Sequence, residues 1–144
     1  MLLYTGFTRK SESILAEQKN NIHNNLKVLN SLKGMVDQAR VALLNRNLDV
    51  LGYLLHESWE LKKSLAAGIT NGDLEAIYQA ARSAGALGGK VTGAGGGGFL
   101  MLYCPEQKRE KVRSALSRLK ELPFLLNPNG SQVVFNLQRT YFTK

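Results

Sequence analysis

The sequence predicts an α+β domain in which several helices pack on one face of a small, mainly antiparallel sheet. Three observations carry that prediction. Apolar residues recur at helical spacing from about residue 10 to residue 81. The pattern then switches to two short β-prone pieces on either side of a glycine-rich stretch. One more helical segment and one or two β-like pieces close the chain.

Leu2 to Phe7 reads as a first strand, starting almost at the first residue. A helical pattern follows from Lys10 to Leu32, with Ser11 as a cap and apolar positions at Ile14, Leu15, Ile22, Leu26 and Leu29. Asn20, Asn21, Asn24 and Asn25 weaken its middle, because asparagine side chains compete for backbone hydrogen bonds. A break or bend is expected there. Met35 to Leu44 continues the helical pattern up to Asn45-Arg46-Asn47. Asn47 is placed to cap the next helix, whose buried stripe is predicted as Leu48, Leu51, Leu55, Trp59 and Leu65, ending at Ala67-Gly68. A turn at Asn71-Gly72-Asp73 precedes a fourth helix marked by Leu74, Ile77, Tyr78 and Ala81.

Lys90-Val91-Thr92 is a short β-like piece, Gly93 to Gly98 a loop, and Phe99 to Tyr103 a second apolar strand. Pro105 suits the first position of a helix that buries Val112, Leu116 and Leu119 and runs on to Glu121. Leu122 to Leu126 and Val133 to Leu137 are the last predicted strands, separated by a turn at Asn127-Pro128-Asn129-Gly130.

Composition bounds the function classes. A chain of 144 residues, 44% hydrophobic and 21% charged, is long enough for one well-filled core and too apolar for disorder. There is no run of 18 apolar residues and no secretory leader pattern. One cysteine, Cys104, excludes a disulfide framework and a multi-cysteine zinc site. A reducing, cytoplasmic setting is the simplest expectation. The net charge of +8 raises the question of nucleic acid. Its densest cluster, on the helix after Pro105, is interspersed with Glu106, Glu110 and Glu121 and lacks exposed aromatics, so it reads as a solvated outer helix. His23 and His56 are single and far apart, without ligand spacing, and no metal site is expected. Cys104 and Trp59 read as core residues.

The departure from average composition is glycine. Eight of the 14 glycines fall between Gly85 and Gly98. Glycines in succession permit positive φ and turn backbone N–H groups toward one point, where an anion can approach without meeting a Cβ. Lys90 adds charge and Thr92 a hydroxyl at the mouth. No Gly-Lys-Ser/Thr follows, and the loop leads into a strand rather than a helix, so neither the Walker pattern nor the dinucleotide fingerprint fits. A tight structural hairpin or a close strand–helix packing site remains the alternative to anion binding.

The order Lys90-Val91-Thr92-Gly93-Ala94-Gly95-Gly96-Gly97-Gly98 resembles the third signature motif of the GHMP kinases. Trp59 to Lys63, Ile69-Thr70-Asn71, Leu74 to Tyr78 and Gly85 to Lys90 are similar to the branch acting on heptose phosphates and fucose. Leu3 to Arg9 fits the first strand of that branch's C-terminal half. The resemblance covers nearly all of residues 1–144 and implies a ferredoxin-like C-terminal domain of a kinase. The N-terminal half that carries the nucleotide loop is expected to be absent. It implies ATP and Mg2+ as cofactors of the full-length protein, with none bound to this piece. The implied partners are a sugar or sugar phosphate and the N-terminal kinase half, with self-association left open. It further implies that Lys90, Thr92, Gly93, Ala94, Gly95, Gly96, Gly97 and Gly98 form a substrate- or phosphate-side cradle, that Lys62 contacts substrate, and that no catalytic base lies in this chain. A binding module without turnover and a helical scaffold with a structural glycine turn are the competing expectations.

Overall fold

The computed structural model describes residues 1–135. The elements run β1 (Leu2–Tyr4), α1 (Ser11–Asn20), α2 (Leu26–Leu44), α3 (Leu48–Lys63), α4 (Gly72–Ala84), β2 (Gly88–Val91) and β3 (Phe99–Tyr103). A single 3-10 turn at Glu106–Lys108 leads into α5 (Arg109–Ala115), and β4 (Lys120–Glu121) ends the series. The strands form one sheet in the order β2-β3-β1-β4, antiparallel at every pairing. This is the split β-α-β arrangement of ferredoxin-like folds, with four helices filling the first crossover.

The sheet's two faces follow from the alternation along its strands. Leu100 and Leu102 of β3 are buried while Phe99, Met101 and Tyr103 are half-exposed. Leu3 of β1 and Val91 of β2 lie opposite Leu100, and all three point into the core with Trp59, Ile69, Leu74, Tyr78 and Val112.

The asparagine-rich stretch breaks the first helical segment, as expected, over Asn21–Asn25. The chain then forms one 19-residue helix through Leu32 and Met35, because nothing at Lys33-Gly34 competes with the helix. Lys10, rather than Ser11, takes the cap position of α1. Asn47 and Asn71 are side-chain caps, accepting from the N–H groups of Val50 (3.3 Å) and Leu74 (2.9 Å).

The predicted stripe on α3 is corrected. Trp59 and Leu65 are buried as predicted, but Leu48 is exposed, Leu51 and Leu55 are only half-buried, and Gly52 and Leu54 take their place. The reason is a glycine contact. A Cβ on Gly88 would stand 1.9 Å from the Gly52 carbonyl oxygen and 2.7 Å from the His56 nitrogen. Strand β2 therefore lies directly against the backbone of α3, and Gly52 is the helix residue that meets it. Gly88 and Gly89 accordingly belong to the strand. Helix α3 ends at Lys63, before Ala67-Gly68.

The last helix is shorter than expected. Lys120 and Glu121 leave it to pair with Tyr4 and Leu3 of β1. Arg113 draws Glu121 toward α5 with a 2.7 Å bond and also bonds Glu110. The guanidinium holds the Glu121 carboxyl below its ordinary pKa. Leu122 donates to Leu2 (2.8 Å), but Leu122–Leu126 forms no strand and Leu125 is 97% exposed. Asn127 to Gly130 does turn. Val133 to Phe135 is exposed and not in a strand, and the rest of the predicted piece to Leu137 lies outside the described residues. No helix among the described residues is long and apolar enough to cross a membrane.

The glycine contact predicts opposite effects of one methyl group. Gly88→Ala is expected to cost about 3 kcal/mol, because backbone must move on both sides. Gly34→Ala, with open space around it in mid-helix, is expected to gain about 0.5–1 kcal/mol. Urea unfolding of both variants checks the pair.

Candidate functional site

The loop between β2 and β3 is closed at its base by the Thr92 N–H, which donates to Phe99 (2.8 Å). Gly93, Gly95, Gly96 and Gly98 take φ values of 70°, 105°, 74° and 84°, the left-handed region that glycine enters without strain. Packing adds a second requirement at the tip. A Cβ on Gly95 would meet the Ile69 carbonyl oxygen at 2.8 Å, one on Gly96 that of Gly68 at 2.9 Å, and one on Gly97 that of Phe7 at 2.4 Å. The tip is thus wedged between the exit of β1 and the connection from α3 to α4.

Accounting for the loop's N–H groups divides it in two. Gly96 donates to Ile69 (2.7 Å) and Gly98 to Phe7 (2.8 Å). The Gly98 carbonyl accepts from both the N–H (2.9 Å) and the hydroxyl (2.8 Å) of the buried Thr5. These bonds fasten the loop to the framework. The N–H groups of Gly93, Ala94, Gly95 and Gly97 have no protein partner among the described residues.

Cationic side chains lie beside the loop. Lys62, on the last turn of α3, donates from Nζ to the Gly93 carbonyl at 2.6 Å. Burial, and then the neighbouring Lys90, lower its pKa, so the two ammonium groups share one neighbourhood and would both gain from an anion. Two N–H donors of Lys62 remain for a ligand. Lys90 is half-buried on β2, and Thr92 half-buried at the base of the loop. The structure therefore brings together every residue named from the sequence: Lys62, Lys90, Thr92 and the run from Gly93 to Gly98. It also adds one. Arg9 lies over the tip, with Cδ 3.2 Å from where a Cβ on Gly96 would stand. More than 80 residues separate Arg9 from the loop, and no local spacing signalled the contact.

Behind the loop, Lys63 joins Glu60 and Glu75 at 2.8 Å each, bracing α3 against α4. His56 is held by Tyr78, with Nδ1 and the phenol oxygen 2.9 Å apart. Cys104 is buried, and burial raises its thiol pKa, which suits a packing role. No three His, Cys, Asp or Glu side chains cluster among the described residues. The loop thus fits phosphate oxygens through N–H groups and ammonium charge, whereas a magnesium ion finds no cage of carboxylates here.

A family model described as GHMP kinases C terminal matches residues 39–121. The chain is 29% identical over 120 residues to a D-glycero-alpha-D-manno-heptose 7-phosphate kinase of Campylobacter jejuni, covering 82% of this chain and 35% of the relative. It is 30% identical over 144 residues to an L-fucokinase/L-fucose-1-P guanylyltransferase of Bacteroides fragilis, covering 92% of this chain and 15% of that protein. Among solved structures, L. major mevalonate kinase in complex with R-mevalonate superposes with a TM-score of 0.69 at 25% identity, over 81% of this chain and 37% of that one. The chain therefore spans about a third of the heptose kinase and of the mevalonate kinase, and less of the bifunctional protein.

The divided loop predicts unequal glycine substitutions. Gly93→Ala meets open space and is expected to cost about 1 kcal/mol from its positive φ alone. Gly96→Ala adds a clash with the Gly68 carbonyl and with Ile14, for a loss of about 2–3 kcal/mol. Denaturant midpoints of the two variants decide it.

Proposed function

The chain belongs to the GHMP kinase C-terminal family, and from that membership we propose that it is the C-terminal part of an ATP-dependent kinase acting on a small hydroxylated metabolite. The favoured acceptor is a heptose phosphate, in a reducing, cytoplasmic setting. In this reading the free N–H groups of Gly93, Ala94, Gly95 and Gly97 and the ammonium groups of Lys62 and Lys90 hold phosphate oxygens at one side of the reaction cleft. Thr92 offers its hydroxyl at the base.

Phosphoryl transfer depends mainly on alignment and on neutralising charge around the transferred group, so a preformed set of donors is the contribution expected of such a loop. ATP and Mg2+ would supply the phosphoryl donor and its counter-charge. Because no carboxylate cage accompanies the loop among the described residues, we assign no metal-binding step to this chain. We place the nucleotide loop and the groups that activate the acceptor hydroxyl in an N-terminal kinase half.

The observation that carries the reading is the split use of the loop's amides. A loop that was only a structural turn would have no need of four unpartnered N–H groups beside two lysines. A mevalonate-type acceptor is the second reading, favoured by the likeness to the mevalonate kinase structure. A phosphate-binding module without turnover is the third.

The 144-residue chain alone is expected to bind D-glycero-D-manno-heptose 7-phosphate or ATP weakly and to show no ATP-dependent phosphorylation. Replacing Lys90 by Ala should weaken that binding about tenfold, the value of one lost charge-assisted hydrogen bond. Calorimetry checks the affinities. Tighter binding of mevalonate than of the heptose phosphate would favour the second reading, and turnover well above a blank would contradict the division of labour proposed here.

A further inference from the structure

A second polar concavity lies away from the loop, between α3 and α4. It is an open groove of about 630 Å³, walled by Tyr53, His56 and Glu60 on one side and by Gln79, Arg82 and Ser83 on the other, with Gly85 to Leu87 as its floor. His56 is six residues before Lys62, which puts it about 9 Å along the helix axis from the loop.

The donors in this groove exceed its acceptors. Arg82 is half-buried and has no carboxylate partner among the described residues. One Nη donates to the Ala86 carbonyl at 2.7 Å, which fixes the guanidinium at the floor and leaves its other N–H groups without a partner among the described residues. His56 is oriented from behind. The Tyr78 hydroxyl lies 2.9 Å from His56 Nδ1 and holds the ring from the side of the core. With Nδ1 engaged by Tyr78, Nε2 is the ring nitrogen left for a ligand. Ser83 adds a hydroxyl. The one acid in the groove's lining, Glu60, is paired with Lys63 at 2.8 Å and stands 3.9 Å from His56 Nδ1, on the side of the ring away from Nε2. The carbonyls at the end of α4 are occupied as well: those of Ala81 and Arg82 accept from Ala86 and Gly85 at 3.0 Å each.

We propose that this groove is a second ligand site that takes the phosphoryl group of a small phosphorylated metabolite, held by Arg82, His56 and Ser83. A guanidinium, an imidazole and a hydroxyl lining one groove suit a tetrahedral anion with several oxygens better than a planar carboxylate. A phosphoryl group alone leaves most of the groove free, and Tyr53 and Leu87 stand where the carbon skeleton of an ester would lie. The site is separate from the glycine loop and does not depend on the kinase reading. Helix α3 and strand β2 run directly from it to Lys62 and Thr92.

The test is a titration of the 144-residue chain with inorganic phosphate, followed by the NMR resonances of the His56 ring and, separately, of the loop amides. His56 is expected to shift saturably, with affinity weakened at least tenfold in Arg82→Gln and unchanged in Lys90→Ala. Because Arg82 also holds the turn at Ala86, Ser83→Asp serves as the second variant. Ser83 is exposed, so the variant leaves packing untouched, and its negative charge should abolish the His56 response. A His56 ring that does not shift, or shifts equally in wild type, Arg82→Gln and Ser83→Asp, would overturn the proposal. So would a phosphate response confined to the loop amides.

Discussion

Everything at the candidate site depends on backbone touching backbone. The tip from Gly95 to Gly97 presses against the carbonyls of Ile69, Gly68 and Phe7 at distances no side chain tolerates. Those carbonyls belong to two separate places in the chain, the exit of β1 and the connection from α3 to α4. By bonding to them through Gly96 and Gly98, the loop draws both together. The consequence is electrical as well as steric. Arg9 follows the first of these segments and Lys62 precedes the second, so closing the loop also assembles its cations.

A second glycine contact sets where the loop begins. Gly52 and Gly88 let β2 lie on the backbone of α3, with no side chain between them. The next residues of β2 then place Lys90 near Lys62, at the mouth of the loop. Glycines in this chain therefore do two kinds of work. At Gly88, Gly95, Gly96 and Gly97 the absence of a Cβ permits close packing. At Gly93, where an added Cβ would meet nothing within 4 Å, it permits a positive φ.

How much of this was legible in the sequence depended on the range of the cause. Local causes were readable: the asparagines that break the first helix, the caps at Asn47 and Asn71, and the two strands flanking the glycine run. The fold and the family were recoverable because the motif from Lys90 to Gly98 is nearly contiguous. What could not be read was set at a distance. Periodicity finds Trp59 and Leu65 in the buried stripe but misplaces Leu48, Leu51 and Leu55, because it counts apolar residues while the sheet requires that Gly52 meet Gly88. The last helix ended early because Lys120 and Glu121 pair with β1, more than 110 residues away. Arg9 was passed over as a site residue for the same reason. Lys62 was expected at the site, but its bond to the Gly93 carbonyl, which makes it part of the loop's support, needed the fold.

The central claim is that the loop's amides are divided, with two fastening it and four available to an anion. Amide hydrogen exchange, residue by residue, with and without a saturating sugar phosphate, tests it most directly. Gly96 and Gly98 should be protected in the free protein and unchanged on binding, while Gly93, Ala94, Gly95 and Gly97 should exchange freely and become protected with ligand. Protection of all six before ligand is added, or none of the four responding to it, would contradict the account.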